Sequence, residues 1–204
     1  DNAKKLKQLI KGTDISEKRL IESAMYAPEW LGITGEYLKW DGFISSCYYF
    51  MAHMNERFDD HRKAMIAKYT PLTDDELNLG AFDINWFRSA YETLGVKRFN
   101  MIYDAAKYIS DGTKHSRARK YADAVLGKME TDKTIKTISE KRNKDLLMAF
   151  PLIPIKDEDD ICQRYLYLQK FLKESKKFGA QRSASEKKAV EISMQNLAMN
   201  AGYS

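Results

Sequence analysis

Residues 157–200 read DEDDICQRYLYLQKFLKESKKFGAQRSASEKKAVEISMQNLAMN, and this stretch decides the fold. Four acids, Asp157 to Asp160, open it, while Lys173, Lys176 and Lys177 close its first half ahead of Gly179. Acids at a helix start and bases at its end complement the helix dipole, and glycine suits the residue past the last turn. Ile161, Tyr165, Leu168 and Leu172 then form an apolar seam at 4-3-4 spacing, with Phe178 extending it. A helix of ~20 residues would be ~30 Å long. Ser183-Ala184-Ser185-Glu186 has the form of a capping box opening a last helix, with Val190, Met194 and Leu197 inward and small Ala189 and Ser193 permitting close approach. The reading is an antiparallel helical hairpin over 156–204.

The same periodicity extends N-terminally. The run 146–155 holds Pro151 and Pro154, which should end a helix and leave an extended segment; the division is a helical region over 1–155 and the hairpin over 156–204, packed as one domain. Helices are expected over 132–142 and 114–128. Asp83 should cap a helix presenting Ile84, Phe87, Ala90, Tyr91 and Leu94. Gly95 breaks it, and Phe99, Ile102, Tyr103, Ala106 and Ile109 continue on a second helix closed by Asp111-Gly112. Thr73-Asp74-Asp75-Glu76 is a second capping box. Further helices are expected at 16–26 (capped by Asp14 or Ser16), after Pro28, over 41–54, and from Glu56 to Tyr69. Leu94-Gly95 and Leu126-Gly127 recur 32 residues apart without filling a tetratricopeptide pattern. The fold class is all-α, an irregular, solenoid-like stack of antiparallel helical hairpins.

Composition agrees. Only 10 glycines and 4 prolines punctuate 204 residues that are 44% hydrophobic, too few breakers for a many-stranded sandwich or barrel. Cys47 and Cys162 belong to no ligand-spaced set and read as reduced thiols packed against apolar neighbours. No apolar run is long enough to span a bilayer and no signal peptide is visible, so no membrane association and a cytoplasmic setting are expected. The opening without methionine reads as a fragment of a longer chain.

Catalytic patterns are missing. His53 and His61, with Glu56, Asp59 and Asp60 between them, lack the spacing of a helical metal site and read as a solvated polar face. No phosphate loop, nucleophile elbow or zinc pair occurs, so neither catalytic residue, metal nor cofactor is assigned. The basic clusters carry more. Lys114, His115, Arg117, Arg119 and Lys120 crowd one segment, and Lys176, Lys177, Arg182, Lys187 and Lys188 gather at the turn of the C-terminal hairpin. With a net charge of +5, these ten residues are the candidate polyanion surface. Tyr48, Tyr49, Tyr165, Tyr167 and Phe171 read as packing residues, Tyr167 lying off the seam.

The run from Arg164-Tyr165-Leu166-Tyr167 through Phe178-Gly179-Ala180-Gln181-Arg182 to Asn196-Leu197-Ala198-Met199-Asn200-Ala201-Gly202-Tyr203 resembles the molybdate metabolism regulator-like (MolR/YehI-like) bacterial family, domain of unknown function 4132. Looser matches at 82–87, Leu94-Gly95 and His115-Ser116-Arg117 extend the resemblance to roughly 80–203. It implies a piece of a large cytoplasmic, multidomain regulatory protein and transfers no molybdate site to any residue. The expected role is a non-catalytic scaffold or interaction region whose partners are the remaining domains of the full-length protein or a separate protein. The alternatives are a nucleic-acid or other polyanion-binding module using the basic hairpin, and part of an enzyme.

Overall fold

A computed structural model describes residues 2–110 and 112–203. Among these, thirteen α-helices follow one another without a strand, so the fold is all-α, a helical stack. In chain order they are α1 (Asn2–Ile10), α2 (Glu17–Tyr26), α3 (Leu31–Leu38), α4 (Phe43–Ala52), α5 (Asp60–Ile66), α6 (Asp74–Leu79), α7 (Ile84–Leu94), α8 (Val96–Ala105), α9 (Ser116–Val125), α10 (Thr131–Lys141), α11 (Lys144–Ala149), α12 (Glu158–Ser175) and α13 (Ala180–Asn200).

Local chemistry sets several boundaries. Ser16, Asp59, Asp83, Asn143 and Asp157 each accept a backbone N–H of the first turn, at the starts of α2, α5, α7, α11 and α12. Thr73 and Glu76 form the reciprocal capping box at α6. Gly95, with φ of 79°, reverses the chain between α7 and α8, whose Phe87 and Phe99 rings meet edge to face. Asp111, the expected end of that hairpin, lies outside the described residues.

Five readings differ from expectation. α5 covers only Asp60–Ile66, because Asp59 starts it rather than Glu56. Residues 150–152 form a buried 3-10 turn instead of an extended linker; Phe150, Leu152 and Ile153 belong to the core. Gly179 begins α13 rather than ending α12, and Ser183 sits inside α13 as an ordinary helical residue. Glu186 is therefore free for a different task. Finally, His53 is fully buried, not on a solvated face, whereas His61 is exposed.

One contiguous apolar cluster runs from Ile21 to Leu197. Its centre is Tyr49, ringed by Phe50, Phe82, Trp86 and Phe87. α13 packs against both α11 and α12, which anchors the hairpin on the rest of the chain.

Candidate functional site

Helix ends inside a core leave carbonyls without partners, and this fold answers with buried arginines. Arg117 is 2% exposed. Its Nε donates to the His53 carbonyl (3.0 Å), Nη1 to Asn78 (3.0 Å), and Nη2 to Leu77 (2.9 Å) and Met54. One guanidinium thus closes the C-terminal ends of α4 and α6. Arg164 acts similarly: it grips Asp160 at 2.8 Å through two nitrogens and donates to the carbonyls of Pro151, Ile153 and Pro154. Asn200 donates to two of the same carbonyls, at 2.9 and 3.0 Å. The proline turn is held from both hairpin helices.

A third pin is Arg142, which reaches Glu186 (2.7 Å), Glu174 (3.1 Å), Ser175 (3.1 Å) and the Phe171 carbonyl (3.0 Å), stacked 3.7 Å above the Phe171 ring. Burial pushes the Glu186 carboxyl up, but the hydrogen bonds from Arg142 and Ser175 outweigh it and hold the group below the usual carboxylate range.

The ten candidate basic residues separate accordingly. Lys176, Lys177, Lys187 and Lys188 are exposed on the hairpin. Arg182 lies 3.8 Å over the Phe178 ring and 3.4 Å from Glu186. In the other segment Arg117 is withdrawn from the phosphate-binding set, because its donors are spent on carbonyls in the core. Lys114 pairs with Glu56 at 3.2 Å, Arg119 lies 4.4 Å over the Tyr103 ring, and His115 and Lys120 are half-buried. A cleft of about 250 Å³ does bring Arg117 and Lys188 together, and adds Lys144, whose Nζ donates to Ser185 at 2.6 Å. His115 and Arg119 do not belong to it.

The expected apolar seam of α12 also divides. Leu168 is buried and Ile161 half-buried, but Tyr165 is 47% exposed, Leu166 beside it 57% and Tyr203 64%. With Cys162 of α12 and Met194, Leu197 and Ala198 of α13 they line an open groove of about 550 Å³ whose wall is almost wholly carbon. Tyr165 thus lines a groove rather than a seam, and Cys162 is exposed where a packed thiol was expected; Cys47 is the buried one. The acidic start of α12 puts exposed Glu158 and Asp159 one turn from Cys162, and Glu191 sits one turn before Met194 on α13. Exposed Lys170 stands one turn after Leu166, so the rim carries acids at the Cys162 and Met194 side and a base at the Leu166 end. Sequence reasoning missed this groove because an exposed and a buried stripe have the same spacing.

Tyr48, Tyr49 and Phe171 are buried, and the half-buried Tyr167 shares its hydroxyl with Ser139 at 2.9 Å. No helix among the described residues is long and apolar enough to cross a membrane. Among them, no group of three or more His, Cys, Asp or Glu side chains is placed to hold a metal ion.

No curated protein and no solved structure matches the chain. The resemblance of residues 80–203 to the molybdate metabolism regulator-like family is overturned, since a different family model matches residues 1–204, the eighty residues outside that resemblance included. The bacterial and regulatory implications drawn from it fall with it. The chain belongs to the family described as Family of unknown function (DUF5724).

Proposed function

We propose that this chain is a helical interaction domain of a larger cytoplasmic protein, and that the groove between α12 and α13 receives an amphipathic helical segment carrying basic residues. The observation that carries the reading is the exposure of Tyr165, Leu166 and Tyr203 around a carbon-lined groove, on the hairpin whose other large apolar side chains are covered or half-covered. Clustered exposure of large apolar side chains marks interaction surfaces more often than scattered exposure does. The exposed acids Glu158, Asp159 and Glu191 on the Cys162 and Met194 side favour basic residues in the segment that meets that side. Covering one such side chain contributes about 1.5–3 kcal/mol, offset by the cost of association, so micromolar affinity is expected. Two free thiols, Cys47 and Cys162, agree with a reducing compartment.

Cys162 supplies a reporter, because it lies in the groove while Cys47 is buried. Helical peptides with leucines at i, i+3, i+4 and i+7 and a lysine-rich opposite face should bind by calorimetry and slow alkylation of Cys162. Leu166→Lys should abolish both effects without lowering thermal stability. Unchanged Cys162 alkylation at saturating peptide, or equal binding by the Leu166→Lys protein, would refute the reading.

A further inference from the structure

On the opposite end of the chain, α2 turns Arg19, Glu22, Ser23 and Tyr26 to one face, at helical spacing. The chain then bends through a 3-10 turn, Pro28–Trp30, which places Trp30 next to Tyr26. A second 3-10 turn, Ala106–Tyr108, follows α8 and packs on α2, bringing Tyr108 to the same shallow cleft of about 370 Å³. Tyr26 is 76% exposed and Trp30 50%, whereas Trp40 and Trp86 are buried. Among the described residues none of these three rings packs against another ring, although nineteen ring pairs form elsewhere. Two bulky aromatics left open in one cleft, beside the half-buried Tyr108, suit a ligand with flat faces.

The cations point to the rest of that ligand. Lys107 Nζ lies 5.1 Å from the Tyr108 ring centroid, at the edge of the cleft. His115 and Arg119 stand one turn apart at the start of α9. Burial, and then the positive charges of Arg119 and Lys107, lower the pKa of His115. Arg119 and Lys128 both lie over the Tyr103 ring, at 4.4 and 5.8 Å. Among the described residues Lys107, Arg119 and Lys128 have no carboxylate within salt-bridge distance, and Ser110 Oγ, His115 Nδ1 and Arg119 Nε lack hydrogen-bond partners. Arg19 is different, being paired with Glu22 at 2.8 Å. Exposed Glu29 disfavours a phosphate at the Trp30 end, which leaves the Lys107 end for the backbone.

We infer that this face binds single-stranded nucleic acid, with bases stacked on Tyr26 and Trp30 beside the half-buried Tyr108 and phosphates facing Lys107. Single strands fit because their base faces are open to stacking, whereas a duplex hides them. The inference is independent of the α12–α13 groove and moves the polyanion surface away from the basic hairpin.

Fluorescence anisotropy with a labelled 12-mer of oligothymidine, the oligouridine equivalent and a 12-base-pair duplex, from 50 to 300 mM salt, tests it. Both single strands should bind better than the duplex, quench Trp30 emission and weaken with salt. Tyr26→Ala and Trp30→Ala should each cost about tenfold in affinity. Lys107→Gln should flatten the salt dependence, and Glu29→Gln should tighten binding. Lys176→Glu with Lys177→Glu and Lys187→Glu should change little. Since Tyr26 and Trp30 are exposed, their variants should keep the helical circular dichroism of the parent, and that is checked first. No binding at 50 mM salt, a duplex preference, or full affinity in folded ring variants would overturn the inference. Loss confined to the hairpin variant would return the site to Lys176–Lys188.

Discussion

His53 has no solvent exposure and sits among the rings of Tyr49, Phe82, Trp86 and Tyr121. Its Nδ1 lies 2.8 Å from the Tyr49 carbonyl, which can only accept, so Nδ1 carries the proton. Nε2 then accepts the Asp83 N–H at 3.4 Å, joining α4 to the start of α7. Burial lowers its pKa to about 4 from an ordinary value near 6.5. Between those values the unfolded chain binds a proton that the folded chain refuses, so stability falls as pH drops from about 6.5 to about 4. The contribution at stake is on the order of 3 kcal/mol. Urea midpoints of the wild-type protein should be flat above pH 7 and decline below it. His53→Gln should be less stable at pH 7 yet lose less over that window, and parallel pH profiles would contradict this account. Gly80 is a second sensitive residue. Its φ is 113°, and a Cβ there would stand 2.5 Å from Met148 Sδ and 3.0 Å from the Tyr121 hydroxyl, which donates to the Gly80 carbonyl. Gly80→Ala should cost about 2–4 kcal/mol in urea unfolding, from left-handed backbone strain plus overpacking.

Among the elements, α10 ends on Arg142 with φ of 48°, a conformation that usually selects glycine. The side chain explains the exception: it ties the end of α10 to the turn between α12 and α13 through Glu174, Ser175 and Glu186. Arg142→Gly should relieve about 1 kcal/mol of backbone strain yet leave Glu186 charged and buried, for a net loss of about 2–4 kcal/mol. Adding Glu186→Gln should recover part of it, which a double-mutant cycle measures; simple additivity would show that the pair is not coupled. This network also marks where reading by element stops. Thr73 to Glu76 and Ser183 to Glu186 are the same four-residue pattern, and only the first caps a helix. The second is diverted because Arg142, 44 residues before Glu186 in the chain, claims the carboxylate. Arg117 was read as a surface base for the same reason, since the carbonyls it serves lie about 40 and 60 residues away. Local spacing states where helices run, but not which charge a distant helix end will pull inside.

Across the whole molecule, the helical periodicity that placed α7, α8, α12 and α13 was legible because each buries a stripe recurring every three or four residues. The groove and the aromatic cleft were not, because which stripe stays open depends on how many neighbours the stack supplies. The same consideration separates α1 from the rest. It buries only Ile10, leaves Leu9 open, and rests on α3 alone among the larger element contacts. Lys4 and Lys5 occupy its first turn, where positive charge opposes the dipole. A nine-residue helix is too short to persist in water by itself, so α1 depends on that one face. By contrast α4 is covered on most sides, with eight of its ten residues buried. Opening α1 therefore costs little, while exposing an α4 amide requires dismantling the Tyr49 cluster. In native-state hydrogen exchange, α1 amides should exchange first, well before α2, and the α4, α7 and α9 amides last, at the rate of global unfolding. Removing residues 1–13 should lower the melting temperature by only a few degrees, as loss of about 1 kcal/mol would in a chain this size. Equal protection of α1 and α4, or failure of the shortened chain to fold, would instead make α1 part of the cooperative core.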